Sequence, residues 1–467
     1  MGGIVVVPNR CRHPCVRPES AAVFPLPCYF LSSRAPKTFT QKAKIPLPGP
    51  SIRPVWGRIV FWNSTFPPAT GRRKRMVRYN IDDVTDDMVL GESIFMPTGE
   101  LLLAAGFKLT ERYRLRLKQM GFHTVGIQVE GTEDVTPEKI ISDHVQAEMA
   151  VSVSKTTDAV RNVLRVRKEG VQNLRKMIRE NKTQLNKYLA SSGLARTLEK
   201  LIDEILNNPT VVLNMSALQN VKADLFSHAI NVTTIALCIG RKYHFSYDEL
   251  KQLAMGAINF DIGLVALPAE LHERNGELSP EEFKQYQQHT VYGYLMLSQN
   301  PSIAPTSAAV ALQHHEYQDG TGFPRGMKGE NRPPLKDFSR KKVIHRFAEI
   351  VAVADTYDML LTGRMGVTLD TYHGVRRVIE MGGTKLNADI VKTFASIVPV
   401  YPVGARLRIT DAPASQLVGY YGVVARDNPD DLEKPQIVLY ETRKRLRIPP
   451  ILIDLAKRDG VAFEILT

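Results

Sequence analysis

Seven of the eleven histidines in this 467-residue chain fall between His228 and His345. His228 reads onto one helical face with Val232, Ile235 and Ile239, and Asp261 onto another with Leu253, Ala257 and Leu264. Asp355 follows Phe347, Val351 and Ala354, with Asp358 one turn further on. A carboxylate on an apolar face is costly unless it is paired or bound to a metal. Two such aspartates among several histidines point to a cation as the partner. Asp224 and His228 stand one helical turn apart, and so share a side. His314 and His315 are adjacent; on a helix they would diverge by about 100° and could serve two centres. Mixed imidazole and carboxylate donors suit Fe, Mn, Zn or a similar divalent ion, not Ca. Two such ions a few ångströms apart clamp a phosphodiester for in-line attack. Each residue taken singly has a plainer explanation: an inward histidine satisfied within a core, an aspartate capping a helix or pairing with a base. The joint occurrence over about 130 residues argues for a centre.

The text at His314-His315-Glu316-Tyr317-Gln318-Asp319-Gly320-Thr321-Gly322-Phe323-Pro324-Arg325-Gly326 resembles the HHE-x-x-DG-x-GYP-x-G signature of the HD-GYP branch of the HD phosphohydrolases, with Phe323 at the tyrosine. Ser227–Val232, Phe260–Gly263, Pro268, His289 before Tyr292-Gly293-Tyr294, and Val351–Asp358 extend the likeness over residues 224–365. The resemblance implies a fold of about seven helices, a centre of two divalent ions or three, Fe or Mn before Zn, and hydrolysis of cyclic di-GMP to pGpG or GMP in bacterial second-messenger signalling. It implies metal ligands at His228, Asp261, His289, His314, His315 and Asp355, with Asp261 as the bridging carboxylate. It places Asp261, His289 and Asp319 in the catalysis, and Gly322, Phe323, Pro324, Arg325 and Arg364 against the substrate. Asp224 stands where some members place a glutamate for a third ion. Cyclic di-GMP or a related phosphodiester is the expected ligand, and a GGDEF-type protein and a second copy of the chain are candidate partners.

The pattern breaks at several points. The histidine of the paired His-Asp is Phe260, which has no lone pair to donate. Asn259 is adjacent, but a helical neighbour points elsewhere. The expected lysine is Leu264, which removes a cation that could meet a phosphate oxygen. Beyond Arg364 the substrate-facing text is replaced by Met365-Gly366-Val367. The basic insert carrying Lys328, Arg332, Lys336, Arg340, Lys341 and Lys342 reads as a solvated loop. Three functions are therefore weighed: a metal-dependent cyclic di-GMP phosphodiesterase, a degenerate domain that senses the dinucleotide or docks a partner without turnover, and a hydrolase of another phosphoester.

The elements that must hold these residues read as mainly α: an all-helical HD-GYP domain over 223–398, flanked by a small α+β module at 76–133 and a small β module at 399–467, with a helical linker or hairpin at 134–222. In the first module, Ile94–Met96 and Leu101–Leu103 flank a turn at Pro97-Thr98-Gly99, a helix opens at Thr110 with Leu115, Leu117 and Met120 on one side, and Thr124–Ile127 reads as a strand. Residues 1–75 read as a disordered leader. They hold thirteen Lys and Arg against the single acid Glu19, twelve of the twenty-nine prolines, and Cys11, Cys15 and Cys28. Met76 follows a basic run and is a candidate natural start. The net charge of +13 thus sits almost wholly in the leader, which argues against a nucleic-acid-binding body. No apolar stretch is long enough to cross a bilayer, export is not expected, and the lone body cysteine, Cys238, fits a reducing cytoplasm.

Overall fold

Helices dominate between two strand-bearing ends. The computed structural model describes residues 77–466 apart from 96–100, 121, 123, 131, 133–134, 136–139, 165–173, 209–224, 273–277, 337–342, 365–367 and 429–430. The expected leader, the turn at Pro97–Gly99, Asp224, Arg340–Lys342 and Met365–Val367 lie outside the described residues.

The N-terminal elements are strand β1 (Val77–Asn80), the short pair β2 (Ile94–Phe95) and β3 (Leu101–Leu103), helix α1 (Glu111–Gln119) and strand β4 (Thr124–Ile127). β1 pairs antiparallel with β4, and β2 with β3. In α1 Leu117 is buried while Leu115 is 55% exposed, so the expected common side for these two leucines does not form. At the other end β5 (Arg406–Asp411), β6 (Tyr421–Arg426), β7 (Gln436–Glu441), β8 (Arg447–Asp454) and β9 (Ala462–Ile465) make one antiparallel sheet in the order β8-β7-β6-β5-β9. β8 carries Pro449 and Pro450; proline cannot donate to a ladder, so such a strand belongs at an edge, where it is found.

The two ends are not separate in the core. Val77, Leu90, Leu117, Val125 and Ile127 pack into one apolar cluster with Leu407, Val423, Ile437 and Leu439. Arg78 N–H donates to Gly404 O at 2.9 Å, and Arg406 reaches Asp83 at 3.0 Å. Sequence spacing suggested two modules because the residues that share this core are 280 or more positions apart in the chain.

Between them run α2 (Asp143–Leu164), α3 (Leu174–Glu180), α4 (Lys182–Leu189), α5 (Ser192–Asn207), α6 (Leu225–Lys242), α7 (Tyr247–Ile258), α8 (Pro280–Ser298), α9 (Pro305–Gln313), α10 (Arg346–Thr362), α11 (Thr371–Met381) and α12 (Ala388–Ala395). The expected linker is part of this body. Val145, Met149, Leu198, Leu201 and Ile205 bury with Val232, Ile235 and Leu253, and Val160, Leu164 and Ile178 with Leu264, Val265 and Met296.

The helix starts are written locally. Ser246 and Glu249 form a reciprocal capping box on α7, and Ser279 and Glu282 another on α8 with Pro280 in its first turn. α10 ends at Gly363, whose φ of 74° lies in the left-handed region. Among the described residues no helix is long and apolar enough to cross a membrane.

Candidate metal centre

The centre is assembled from α6, α8 and α10, the end of α9 and the turn that follows α7. His228 lies on α6 and is 2% exposed, His289 lies on α8 and is 0% exposed, and Asp355 lies on α10 and is 3% exposed. His314 and His315 stand just past the last residue of α9, so the expected divergence along a helix gives way to rings 4.1 Å apart between centroids. Asp261 does not sit on a helical face either. α7 stops at Ile258, and Asp261 occupies the turn that leads into a 3-10 helix at Ile262–Ala266.

Gly263 explains how this turn reaches α8. A Cβ there would stand 1.9 Å from the His289 carbonyl oxygen and 2.7 Å from Gly293 N, so only glycine lets the two backbones close.

Asp261 Oδ1 lies 3.4 Å from His289 Nε2 and 3.5 Å from His314 Nε2, and those two nitrogens are 3.3 Å apart. Donors bound at about 2.0–2.1 Å to one tetrahedral ion stand about 3.3 Å from each other. His289 Nδ1 is 2.6 Å from the Tyr286 carbonyl, and His314 Nδ1 is 3.1 Å from that of Val310. A carbonyl only accepts, so each Nδ1 carries the proton and each Nε2 presents a lone pair. Two lone pairs and a carboxylate oxygen thus face one another with no hydrogen to share. His315 joins the same group: one donor atom from each of Asp261, His289, His314 and His315 lies within 4.8 Å of the others. Asp261 Oδ1 and His315 Nε2 are buried without a hydrogen-bond partner. A divalent ion fits this donor set.

On the other side of Asp261, His228 Nε2 is 3.9 Å from Asp261 Oδ2 and 3.0 Å from Asp355 Oδ1. The second contact is close, but it lacks hydrogen-bond geometry and leaves Asp355 Oδ1 unpartnered. His228 Nδ1 meets Asp358 Oδ2 at 2.7 Å, and Asn231 Nδ2 donates to Asp358 Oδ1 at 2.8 Å. Phe260, fully buried, sets its ring edge-on to both His228 and His314, with centroids 5.6 Å and 4.9 Å away. Asn259 turns away, donating to Met255 O at 3.1 Å, and Leu264 is buried in the core.

The titrations follow these surroundings. Burial, only partly offset by Asp261, brings His289 down to about 4, and burial with the neighbouring His314 and His289 takes His315 well below its ordinary value. Burial works to raise the Asp261 carboxyl, but His314, His289 and His228 outweigh it and hold it ionised. Burial and Arg364 push His228 down, yet Asp355 and Asp358 prevail and lift it to about 9.

The glycine-rich loop closes over His315. Phe323 N–H donates to His315 O at 3.0 Å, and the Phe323 ring lies 4.6 Å from the His315 ring. A Cβ on Gly322 would stand 2.4 Å from that same carbonyl. Arg364 is close enough for its charge to act on His228 and Tyr286. Arg325 is exposed. Asp319 is not brought in: its exposed carboxylate accepts from Thr321 N at 2.8 Å and Thr321 Oγ1 at 2.7 Å, closing the turn.

Three residues carry roles that sequence reasoning did not give them. Buried Glu316 accepts from Arg325 N and Met327 N, both at 2.7 Å, and so pins the loop. Asp358 and Asn231 fix His228. Asp358 was in view, one turn beyond Asp355 in apolar text, but was given no role of its own. Glu316 could not be given one, because its partners are backbone groups.

A family model described as "HD domain" matches residues 200–373, beginning within α5. The chain is 26% identical over 263 residues to a cyclic di-GMP phosphodiesterase of Pseudomonas aeruginosa, covering 55% of this chain and 59% of that protein. It is 34% identical over 139 residues to a cyclic di-GMP phosphodiesterase of Thermotoga maritima, covering 29% of this chain and 34% of the relative. It therefore spans about three-fifths of the first relative's length and about a third of the second's. A solved HDG"Y"P protein from Bdellovibrio bacteriovorus aligns over 69% of this chain and 99% of its own at a TM-score of 0.35 and 15% identity, too loose a likeness to argue from. The chain thus carries an HD domain over residues 200–373, within which the His314–Gly326 text resembles the HD-GYP signature.

Proposed function

We propose that this protein hydrolyses a phosphodiester bond of cyclic di-GMP, yielding pGpG or GMP, with divalent metal, Fe or Mn before Zn, at the centre described above. The observation that carries the proposal is the convergence of Asp261, His289, His314 and His315 on one buried space, with lone pairs and a carboxylate but no hydrogen to pair them. When bound, a divalent ion there supplies Lewis-acid polarisation of a phosphate oxygen and lowers the pKa of water. The chain's own residues do the rest. Asp261 turns one carboxylate oxygen to each side of the centre and offsets the charge brought there. The loop at Gly322–Arg325, held by Glu316, forms a wall beside His315. Arg364, whose charge reaches His228 and Tyr286, supplies positive charge for a phosphate.

A second reading is a receptor that binds the dinucleotide without turnover. It is favoured by one observation: Phe260, with no donor atom, lies buried against His228 and His314. Both readings are separated by incubating the protein, loaded with Mn or Fe, with cyclic di-GMP and following products by chromatography. Product formation abolished in Asp261→Ala supports the hydrolase. Saturable binding in calorimetry with no product over hours replaces it with the receptor.

A further inference from the structure

The centre is asymmetric about Asp261, and the asymmetry bears on how much metal the chain holds. Its Oδ1 faces three imidazoles, from His289, His314 and His315, and its Oδ2 faces His228 with Asp355 beyond. The imidazole side offers four donor atoms within 4.8 Å of one another. Two of its rings are locked by carbonyls with Nε2 inward. The triangle of Asp261 Oδ1, His289 Nε2 and His314 Nε2 already has the spacing of donors around one small ion. On the opposite side the donors among the described residues number three, His228 Nε2, Asp261 Oδ2 and Asp355 Oδ1. The space from which a fourth could come holds the Phe260 ring, edge-on to His228 and 0% exposed. Asn259 does not replace it, because its amide is turned onto Met255.

We propose that the two sides are unequal in affinity: Asp261, His289, His314 and His315 hold one ion tightly, whereas His228 and Asp355 hold none that survives dialysis, because Phe260 stands in place of a donor. In that arrangement His228 is a positioning residue. Asp358 and Asn231 fix its ring, and the ring braces Asp355 and Asp261 from behind. This inference rests on the metal-centre reading given under Proposed function.

The test is metal content, independent of activity. The full chain is saturated with Mn, dialysed against metal-free buffer, and measured by inductively coupled plasma mass spectrometry beside Phe260→His, His315→Gln and His228→Ala. Circular dichroism and melting confirm that each variant is folded. About one ion per chain is expected in the unmodified protein, about two in Phe260→His, one in His228→Ala, and a loss in His315→Gln exceeding the roughly 10–100-fold in affinity that removing an outer partner of a metal ligand brings. Two retained ions in the unmodified chain would overturn the inference and leave the proposed function standing. So would one ion that His228→Ala removes and His315→Gln spares. A Phe260→His protein that still holds one ion would remove Phe260 as the cause. No retained ion in any of the proteins would overturn the inference together with the metal-dependent reaction. If His315→Gln does not fold, the comparison of the unmodified chain with Phe260→His and His228→Ala still decides the matter.

Discussion

The two sides of Asp261 are built from the same residue types and behave as different chemistry. Toward His289, His314 and His315, Asp261 Oδ1 and His315 Nε2 are buried without a hydrogen-bond partner, and the Nε2 atoms of His289 and His314 face each other at 3.3 Å. Toward His228 both ring nitrogens already face carboxylates, and the Phe260 ring, which also touches His314, packs edge-on against it. Ligand identity alone therefore does not define a metal site. What matters is whether the fold gives each donor another partner: His228 Nδ1 has one in Asp358, whereas Asp261 Oδ1, His315 Nε2 and Asp355 Oδ1 have none.

The largest expected effect tests the atom common to both sides. Asp261→Ala should abolish metal retention and lower turnover by more than the roughly 10–100-fold seen when an outer-sphere partner is lost, read by metal analysis and initial rates. A variant that kept its metal would break the comparison at its centre.

Next is the packed side. Asp358→Ala leaves His228 Nδ1 and Asn231 Nδ2 buried without their acceptor, and breaking a buried charged pair typically destabilises by about 3–5 kcal/mol. Chemical denaturation should show that loss in the metal-free protein. An unchanged midpoint would mean that the network on this side is not structural. The loop over the other side should respond less. Glu316→Gln keeps one acceptor and loses one charge-assisted bond, at a cost of about 1.5–3 kcal/mol, and should raise KM for cyclic di-GMP more than it lowers kcat.

The two sides also predict opposite pH limbs in metal-free protein. His289 titrates at about 4 folded against an ordinary 6.5. Between those values the unfolded chain takes up a proton that the native one refuses, so stability falls as pH drops. His228 titrates at about 9 folded against 6.5, so the native chain keeps a proton that the unfolded one releases, and stability falls as pH rises toward 9. A melting-temperature profile with its maximum near 6.5 is expected; His228→Ala should flatten only the alkaline limb. The smallest effect is Phe323→Tyr, which adds one hydroxyl and should change the free energy of binding by no more than about 0.5–1.5 kcal/mol, measured by calorimetry.

Much of this site was legible in the chain. Apolar text around His228 and Asp355 announced inward-facing polar groups, and both lie where that pattern put them, because a 3.6-residue period is a local property of the helix. The substitution at 260 was visible as well. Legibility failed where the backbone leaves the helix. Asp261 was read onto a helical face with Leu253 and Ala257, yet α7 ends at Ile258 and a turn delivers the carboxylate. His314 and His315 were read as diverging, yet α9 stops before them. Asp319 was read as catalytic from its place in the signature, yet its carboxylate closes its own turn.

The amino-acid sequence by itself determined the helical class, the cap positions, the inward faces and the set of donor residues, all properties of short stretches of chain. Only the tertiary structure decided how those donors are shared out. The distances that bring those donors together join α6, α8, α9 and α10, which meet only through the common core, and an approach such as that of Gly263 to the His289 carbonyl exists in no segment alone. The same holds for the shared core of the two chain ends: burial rewards any apolar surfaces that fit, however far apart they are in sequence.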